Sequence, residues 1–224
     1  MYVGRVMRTE LITVHPDMPL SKAKELIAEK QINHLLVVND AGELTGILSD
    51  RDIKQSWASS ATTLSVHELN YLLSRLTVGM VMAKKIITIP PNTTIERAAL
   101  IMQQNRINAL PVIDKGKLIG IITTFDVMSV LLEAIGIDRE SFRFTVLVRD
   151  RIGFLDEITK ILKDNEINIR SIFSWPEKKY PGVYQLVLRV GAQNGEKAVK
   201  LLQDGGFKVL TDYADDLTPY LPGE

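Results

Sequence analysis

The chain has 224 residues, of which 46% are hydrophobic and 24% charged, as is usual for a globular protein with a buried core. Its 27 basic and 27 acidic residues balance. Binding to nucleic-acid phosphates needs a clustered basic excess, so we expect no nucleic-acid partner. The absence of cysteine excludes disulfide bonds, a cysteine nucleophile and thiolate metal sites. There is no signal-peptide pattern and no apolar run approaching ~18 residues, so we expect a cytoplasmic protein without a membrane partner.

The first two-thirds of the chain repeats one pattern. Residues 46–52, with the sequence Gly-Ile-Leu-Ser-Asp-Arg-Asp, return at residues 120–126 as Gly-Ile-Ile-Thr-Thr-Phe-Asp. A shift of about 75 positions also aligns residues 6–16 with residues 81–91, and the second copy is one residue shorter at a glycine-containing turn, where hairpin loops tolerate deletion. So many ordered matches predict one supersecondary unit that is used twice.

Each copy is predicted to fold as β-α-β-β-α. A β-branched strand that ends near a proline precedes a helix, and two further strands flank the glycine-containing turn. The repeated motif then leads into a second helix, from Asp52 in the first copy and from Asp126 in the second. We assign residues 1–60 and 78–137 to the two copies and expect them to pack as a pair, because a unit of about 60 residues buries little surface and is only marginally stable by itself.

A polar linker and a helix are predicted between the two copies. Residues 59–63 are Ser-Ser-Ala-Thr-Thr, and apolar residues recur at helical spacing from Val66 to Leu76. We therefore assign residues 61–77 to a linker and a bridging helix that packs against its neighbours.

From Phe142 onward the pattern changes to β-α-β-β-α-β, the ferredoxin-like order. The predicted elements are a strand at 142–148, a helix ending near Asn165, strands at 167–174 and 183–190, a helix at 195–203 and a strand at 208–210. We assign residues 138–211 to this unit. The tail at 212–224 is expected to have little with which to build a core.

The duplicated unit resembles a tandem pair of CBS domains, because each copy ends in Gly-apolar-apolar-(Ser/Thr)-x-x-Asp. The third unit, with Asp150-Arg151-x-Gly153-x-Leu155 and Ile167-Asn168-Ile169, resembles an ACT domain. These resemblances imply a mixed α/β (α+β) fold in which two packed CBS units precede a ferredoxin-like ACT domain. The order and length are similar to those of the acetoin-utilisation regulatory proteins, which have no catalytic domain.

The CBS resemblance implies adenine-nucleotide binding in clefts between the paired units. Asp52 and Asp126 would accept hydrogen bonds from ribose hydroxyls, and Ser49 and Thr123 would contact phosphate. Arg51 would add charge-assisted bonds to the phosphate in the first copy. Apolar walls and backbone groups for adenine would come from strand residues, namely Ile12, Thr13, Val14, Ile87, Thr88, Ile89, Pro111 and Val112.

The two sites are not equivalent, because Phe125 stands where Arg51 would be repeated. The resemblance does not name one nucleotide, so AMP, ADP and ATP are candidates, and NAD and S-adenosylmethionine are alternatives. From the residues alone, an Asp three positions after Ser or Thr is also a common helix cap, and some CBS pairs bind no ligand.

In the third unit the resemblance implies an amino-acid ligand at a subunit interface. Gly153 would let a ligand carboxylate approach backbone N–H groups at a helix start, Asp150 would bind an amino group, and Asn168 would lie nearby. Relatives often have Gly at the position of Glu166, and we expect Asn165 to adopt the left-handed conformation instead. Dimerisation or packing without a ligand is the alternative role.

The sequence favours a non-catalytic regulatory sensor that forms a homodimer and acts on an unidentified protein. A role in acetoin or related carbon metabolism is implied by resemblance alone, and a ligand-free assembly scaffold is the alternative. An enzyme is disfavoured, since there is no Walker A loop or other catalytic motif. His15, His34 and His67 lack metal-ligand spacing, so we predict core or surface roles for them, and neither a metal site nor a catalytic cofactor.

Overall fold

The computed structural model describes residues 1–56, 75–137 and 140–223. These residues belong to two compact units, Met1–Met128 and Ser129–Glu224. Both copies of the repeated motif lie in the first unit. The bridging helix predicted between Val66 and Leu76 lies almost wholly outside the described residues.

The first copy has the predicted β-α-β-β-α order. Its elements are β1 (Thr13–Val14), α1 (Leu20–Lys30), β2 (His34–Val38), β3 (Leu44–Ser49) and α2 (Asp50–Ser56). Strand β1 runs parallel to β2, and β2 is antiparallel to β3. Helix α1 turns Leu20, Ala23 and Ile27 toward the sheet at helical spacing, where they form one core with Leu35 and Leu48.

The second copy repeats this order, with one strand reduced to a single bridge. Its elements are a short helix α3 (Val78–Val81), then α4 (Ile95–Asn105), β4 (Ala109–Asp114), β5 (Lys117–Thr123) and α5 (Thr124–Ile135). In place of β1, Ile89 pairs with Val112. Pro111 explains the shortening. The aligned residue of the first copy, Leu36, donates its backbone N–H to Ile12 at 3.4 Å, and proline has no N–H to donate.

Each copy completes the sheet of the other. The backbone of Arg8, which precedes the sheet of the first copy, forms two hydrogen bonds with Ile121 of β5, at 2.9 and 3.0 Å. Ala83 stands at the aligned position before the sheet of the second copy and forms the same pair of bonds with Ile47 of β3, at 2.9 and 3.1 Å. Because each strand edge is covered by the leading segment of the other copy, neither copy is complete by itself.

The same exchange explains the glycine that begins each repeated motif. A Cβ atom at Gly46 would lie 2.2 Å from Sδ of Met82, and one at Gly120 would lie 2.4 Å from Sδ of Met7. Both methionines belong to the leading segments that cross to the other copy, Met7-Arg8 and Met82-Ala83, here called the crossing segments. Glycine therefore lets the crossing segment lie close to the strand.

We expect Gly46→Ala to lower the free energy of unfolding by about 1–3 kcal/mol, because the added methyl group overpacks the contact with Met82. Urea unfolding of the wild type and the variant measures the difference. Met82→Ala is the matched background. There the same change at position 46 should alter stability by less than about 0.5 kcal/mol, since the clashing atoms are gone. An equal loss in both backgrounds would show that Met82 is not the reason for the glycine.

The second unit is an antiparallel sheet with two helices on one face. Its elements are β6 (Ser141–Arg149), α6 (Phe154–Asp164), β7 (Ile169–Pro176), β8 (Val183–Gly191), α7 (Gly195–Asp204) and β9 (Val209–Leu210). The strands lie in the order β7-β8-β6-β9. Alternate residues of β6, Phe144, Val146 and Val148, pack against Ile158 and Leu162 of α6. The predicted ferredoxin-like order is confirmed.

The C-terminal tail contributes more than expected. On β6, Leu147 alternates with the core residues and therefore points to the other face of the sheet. There it is buried with Val183 and Leu210 under apolar side chains that come from the tail, namely Ala214, Leu217, Tyr220 and Leu221. The expectation that the tail has little with which to build a core is wrong, because the sheet supplies the rest of this small cluster.

The left-handed residue between α6 and β7 is Glu166, with a φ of 59°, whereas Asn165 has a φ of −108°. The expectation for Asn165 is therefore wrong. Asn165 instead donates its side-chain amide to the carbonyl of Ile161 at 2.9 Å, which fits a residue that ends the helix in an ordinary conformation. Glu166 keeps a backbone shape that glycine adopts more easily, at a cost of about 1 kcal/mol.

We expect Glu166→Gly to raise the free energy of unfolding by about 0.5 kcal/mol, the strain relieved minus the greater chain entropy of glycine in the unfolded state. Urea unfolding is again the measurement. Asn165→Gly is the matched control and should lower stability, because φ is negative there and the bond to Ile161 is lost. If Glu166→Gly were destabilising by a similar amount, the glutamate side chain would hold the turn more strongly than its backbone strains it.

Candidate functional site

Two clefts in the first unit bring together most of the motif residues that the repeat predicts. Cleft A, of about 460 Å³, is lined by residues 49–52 of the first motif, by residues 85–87 and by residues 106–109. Cleft B, of about 530 Å³, is lined by residues 123–125 of the second motif, by residues 31–34, and by Arg8, Glu10 and Ile12. Each cleft therefore uses both copies of the repeat, as the exchange of leading segments requires.

The motif aspartates first hold the turns in which they lie. Oδ2 of Asp52 accepts hydrogen bonds from the backbone N–H of Ser49 at 2.8 Å and from its hydroxyl at 2.6 Å. Oδ2 of Asp126 accepts the same two bonds from Thr123 at the same distances. The helix-cap role is thus confirmed for one oxygen of each carboxylate. The hydroxyl hydrogens of Ser49 and Thr123, predicted to contact phosphate, are used in these bonds.

The second oxygen distinguishes the two aspartates. Oδ1 of Asp126 accepts from Nε and Nη2 of Arg8 at 3.3 and 3.2 Å, and only 13% of this aspartate side chain is exposed. In the part of the chain that the structure describes, no donor lies within hydrogen-bonding distance of Oδ1 of Asp52. The residue aligned with Arg8 is Ala83, whose methyl group cannot pair with a carboxylate. Asp52 therefore faces cleft A with one acceptor available, whereas Asp126 does not line cleft B.

Part of the predicted apolar wall faces the clefts. Ile87 and Pro111 line cleft A, and Ile12 lines cleft B. The other predicted wall residues line neither cleft, since Val14, Ile89 and Val112 are core side chains and Thr13 and Thr88 are exposed. Because their side chains are buried, Val14, Ile89 and Val112 can reach a ligand only through their backbone groups.

Two cations that the sequence reasoning missed join Arg51 in cleft A. They are Lys85, which follows the crossing segment, and Arg106, which ends α4 in a left-handed conformation with a φ of 54°. Their signal in the sequence is weak, since single exposed basic residues are common. A position-by-position comparison of the two copies would have shown that neither is repeated.

His34 was also missed, and it lines both clefts. Burial lowers the pKa of His34, and the nearby carboxylate of Asp52 partly opposes that shift. The neutral imidazole is therefore favoured beside the one motif carboxylate that has an oxygen available. The aligned residue of the second copy is Ala109, so this histidine belongs to one copy alone.

We expect the lowered pKa of His34 to make the protein less stable in mild acid. The unfolded chain binds the proton near pH 6.5 and the folded chain only at lower pH, so stability is complete above pH 6.5 and falls as the pH drops from there toward the folded pKa. Urea unfolding at pH values from about 7.5 to 5 measures this. His34→Ala, which copies the second repeat, should reduce the loss, whereas His15→Ala, outside both clefts, should retain it. Equal slopes for wild type and His34→Ala would contradict the assignment.

The structure does not place the residues of the predicted amino-acid site in one cavity. Gly153 precedes α6 with a φ of 92°, in agreement with the need for glycine, and Asp150 donates its backbone N–H to Gly182 at 3.1 Å. Asn168 lines a cavity beside the C-terminal half of α6, and neither Asp150 nor Gly153 lines it. An amino-acid site built from these residues stays a prediction.

The described residues contain no group of three or more His, Asp or Glu side chains arranged to hold a metal ion. None of their helices combines the length and the hydropathy needed to cross a membrane.

Comparison with known families gives the duplicated motif its context. Residues 3–58 and 78–133 each match the CBS domain. The chain belongs to the CBS-domain family. Residues 142–204 match the ACT domain, so the chain has the regulatory architecture of a CBS pair followed by an ACT domain. The matched ranges fall inside the predicted bounds of 1–60, 78–137 and 138–211, which stay predictions.

Curated relatives match the CBS pair. A CBS domain-containing protein of Bacillus subtilis, YhcV, is 30% identical over 55% of this chain and 81% of its own length. Homoserine O-acetyltransferase of Methanosalsum zhilinae is 35% identical over 54% of this chain. L-aspartate semialdehyde sulfurtransferase of Methanosarcina acetivorans is 33% identical over 58% of this chain. The alignments span 22% of the acetyltransferase and 23% of the sulfurtransferase, so they concern one part of those proteins.

Solved structures agree with the CBS assignment. A structure from Vibrio cholerae assigned as the acetoin utilization protein AcuB is 27% identical, with a TM-score of 0.50 over 59% of this chain and 91% of that one. A CBS-domain protein from Agrobacterium tumefaciens has a TM-score of 0.52 at 23% identity, over 58% of this chain and 99% of that one. The second likeness concerns the fold alone. The first supports the resemblance to acetoin-utilisation proteins.

Proposed function

We propose that the chain is a non-catalytic regulatory sensor of the cytoplasm that binds an adenine nucleotide, AMP, ADP or ATP, in its CBS pair. The carboxylate of Asp52 carries the proposal. Ser49 fixes one of its oxygens, and the other faces cleft A without a donor among the described residues. A ribose presents two neighbouring hydroxyl donors, and an ionised carboxylate is an acceptor with free lone pairs for both.

The remaining walls of cleft A suit the other parts of a nucleotide. Ile86, Ile87 and Pro111 offer apolar surface for the adenine ring, and Arg51 offers a guanidinium for charge-assisted bonds to phosphate. A volume of about 460 Å³ lies within the range of small-molecule sites. Because residues of both copies line the cleft, a ligand there contacts both and favours one arrangement of the pair. It shifts that equilibrium only by its differential affinity for the two states.

A homodimer belongs to the same proposal. Helices of the first unit carry exposed apolar side chains, Met80 on α3, Leu100 on α4 and Met128 on α5. Such exposed apolar side chains are suited to contact with a second copy of the chain. The regulated protein, an amino-acid ligand of the ACT domain and a role in acetoin metabolism are proposals that rest on the family resemblance.

Calorimetric titration of the full chain with AMP, ADP, ATP, NAD and S-adenosylmethionine tests the proposal. We expect one adenine ligand to bind with micromolar Kd, about −8 kcal/mol, and Asp52→Asn to weaken it at least tenfold. Asparagine keeps one oxygen for the bonds from Ser49, so the turn is retained, but it replaces the second acceptor by an amide donor. Asp126→Asn is the matched control and should change the affinity less than threefold, because that carboxylate is already paired.

Thermal unfolding of both variants shows whether the turns survive the change. If no adenine ligand binds the wild type, the CBS pair is a ligand-free scaffold. If the two variants weaken binding equally, recognition does not depend on the open carboxylate. Conversion of a nucleotide by the purified chain would revive the enzyme interpretation.

A further inference from the structure

We infer that cleft A alone accepts a phosphorylated ligand, that Arg51, Lys85 and Arg106 select it, and that each chain therefore binds one nucleotide. The inference rests on the proposed function, which names the adenine ligand but not the number of sites or the residues that read the phosphate. The two clefts differ at positions that the repeat aligns.

The three cations of cleft A have no basic counterparts in cleft B. In the aligned positions, Arg51, Lys85 and Arg106 of cleft A are replaced by Phe125, Glu10 and Gln31 of cleft B. The backbone conformation is the same at one of these aligned pairs. Gln31 and Arg106 both end a helix in the left-handed region, with φ of 51° and 54°. The difference between the clefts therefore lies in the side chains.

The cations of cleft A are also available to a ligand. Within the described part of the chain, Arg51, Lys85 and Arg106 form no salt bridge. Of the two acidic residues in the lining, Asp50 pairs with Lys54 at 2.5 Å, and Asp52 is the proposed ribose acceptor. Arg51 lies in the first motif, Lys85 follows the crossing segment and Arg106 ends α4, so the basic surface combines parts of both copies. Phosphate oxygens accept several charge-assisted hydrogen bonds at once.

Cleft B presents the opposite electrostatics. Among the described residues that line it, Arg8 is the one with a permanent positive charge, and Arg8 is bound to Asp126. Glu10 adds a carboxylate to the lining, so a phosphate entering cleft B would meet a like charge. Phe125, which is 73% exposed, offers an aromatic face where cleft A has a guanidinium. These side chains disfavour phosphate.

Exchanging the side chains between the clefts tests the inference in both directions. The first variant gives cleft B the residues of cleft A, through Arg8→Ala, Glu10→Lys, Gln31→Arg and Phe125→Arg. The reverse variant gives cleft A the residues of cleft B, through Arg51→Phe, Lys85→Glu and Arg106→Gln. All seven positions are exposed in the structure, so the core is left unchanged.

Calorimetry with ATP, ADP, AMP and adenosine supplies the readout. The wild type should bind one phosphorylated nucleotide per chain, at least tenfold more tightly than adenosine. The first variant should bind two per chain, and the reverse variant should lose the preference for phosphate over adenosine. The wild-type preference should weaken as salt is raised, because partly exposed charges are screened.

Two equal nucleotide sites in the wild type would overturn this inference and leave the proposed function standing, whereas failure of every adenine ligand to bind would overturn both. A wild-type preference for adenosine over its phosphates would overturn the selection by cations. If the first variant, with its four substitutions, does not fold, two single variants are compared: Lys85→Glu in cleft A and Glu10→Lys in cleft B. The first should weaken nucleotide binding at least tenfold and the second should not, and equal effects would contradict the assignment to cleft A.

Discussion

Two pairs of backbone hydrogen bonds, Arg8 with Ile121 and Ala83 with Ile47, hold the first unit in its arrangement. They make each copy of the repeat dependent on the other, which agrees with the small surface that about 60 residues can bury alone. They also bring the two crossing positions to the two clefts. At one, the arginine side chain binds Asp126, and at the other, alanine leaves Asp52 open to a ligand. The same two residues therefore support the fold and set the difference between the clefts.

The duplication separates structural from ligand-directed positions without reference to any other protein. Residues that are the same in both copies have contacts that the fold explains. Gly46 and Gly120 lie under crossing methionines, and one oxygen each of Asp52 and Asp126 accepts the bonds from Ser49 and Thr123. Residues that differ between the copies include three cleft pairs, Arg51 with Phe125, Lys85 with Glu10 and Arg106 with Gln31. Identity of the two aspartates thus follows from their cap role and does not require two equivalent nucleotide sites.

The sequence predicted the element order of all three units, because periodicity, glycine turns and the repeat report on backbone demands. Effects that depend on a single partner atom could not be predicted from the sequence. The loss of a strand before α4 follows from one missing N–H at Pro111, which matters only because its aligned residue donates to Ile12. The left-handed conformation of Glu166 is disfavoured by its side chain and is imposed by the surrounding chain. The tail forms a core only because the second face of the sheet is apolar. No local sequence pattern marks Lys85 or His34, because only the folded chain brings them to the cleft.

Cleft B differs from cleft A in the ion pair at Asp126 and in the absence of three cations, and these two differences have unequal effects on the free energy of ligand binding. The Arg8–Asp126 pair is half exposed on the arginine side, and such pairs stabilise a protein by about 0–1 kcal/mol, so a ligand could displace it at small cost. A hydrogen bond to a charged group contributes about 1.5–3 kcal/mol, and cleft A has three cations that could form one. The missing cations therefore weigh more than the pre-existing ion pair. Opening the carboxylate of Asp126 alone would give cleft B a ribose acceptor but not a phosphate site, so the selectivity inferred for the CBS pair resides in Arg51, Lys85 and Arg106 and not in the repeated aspartate.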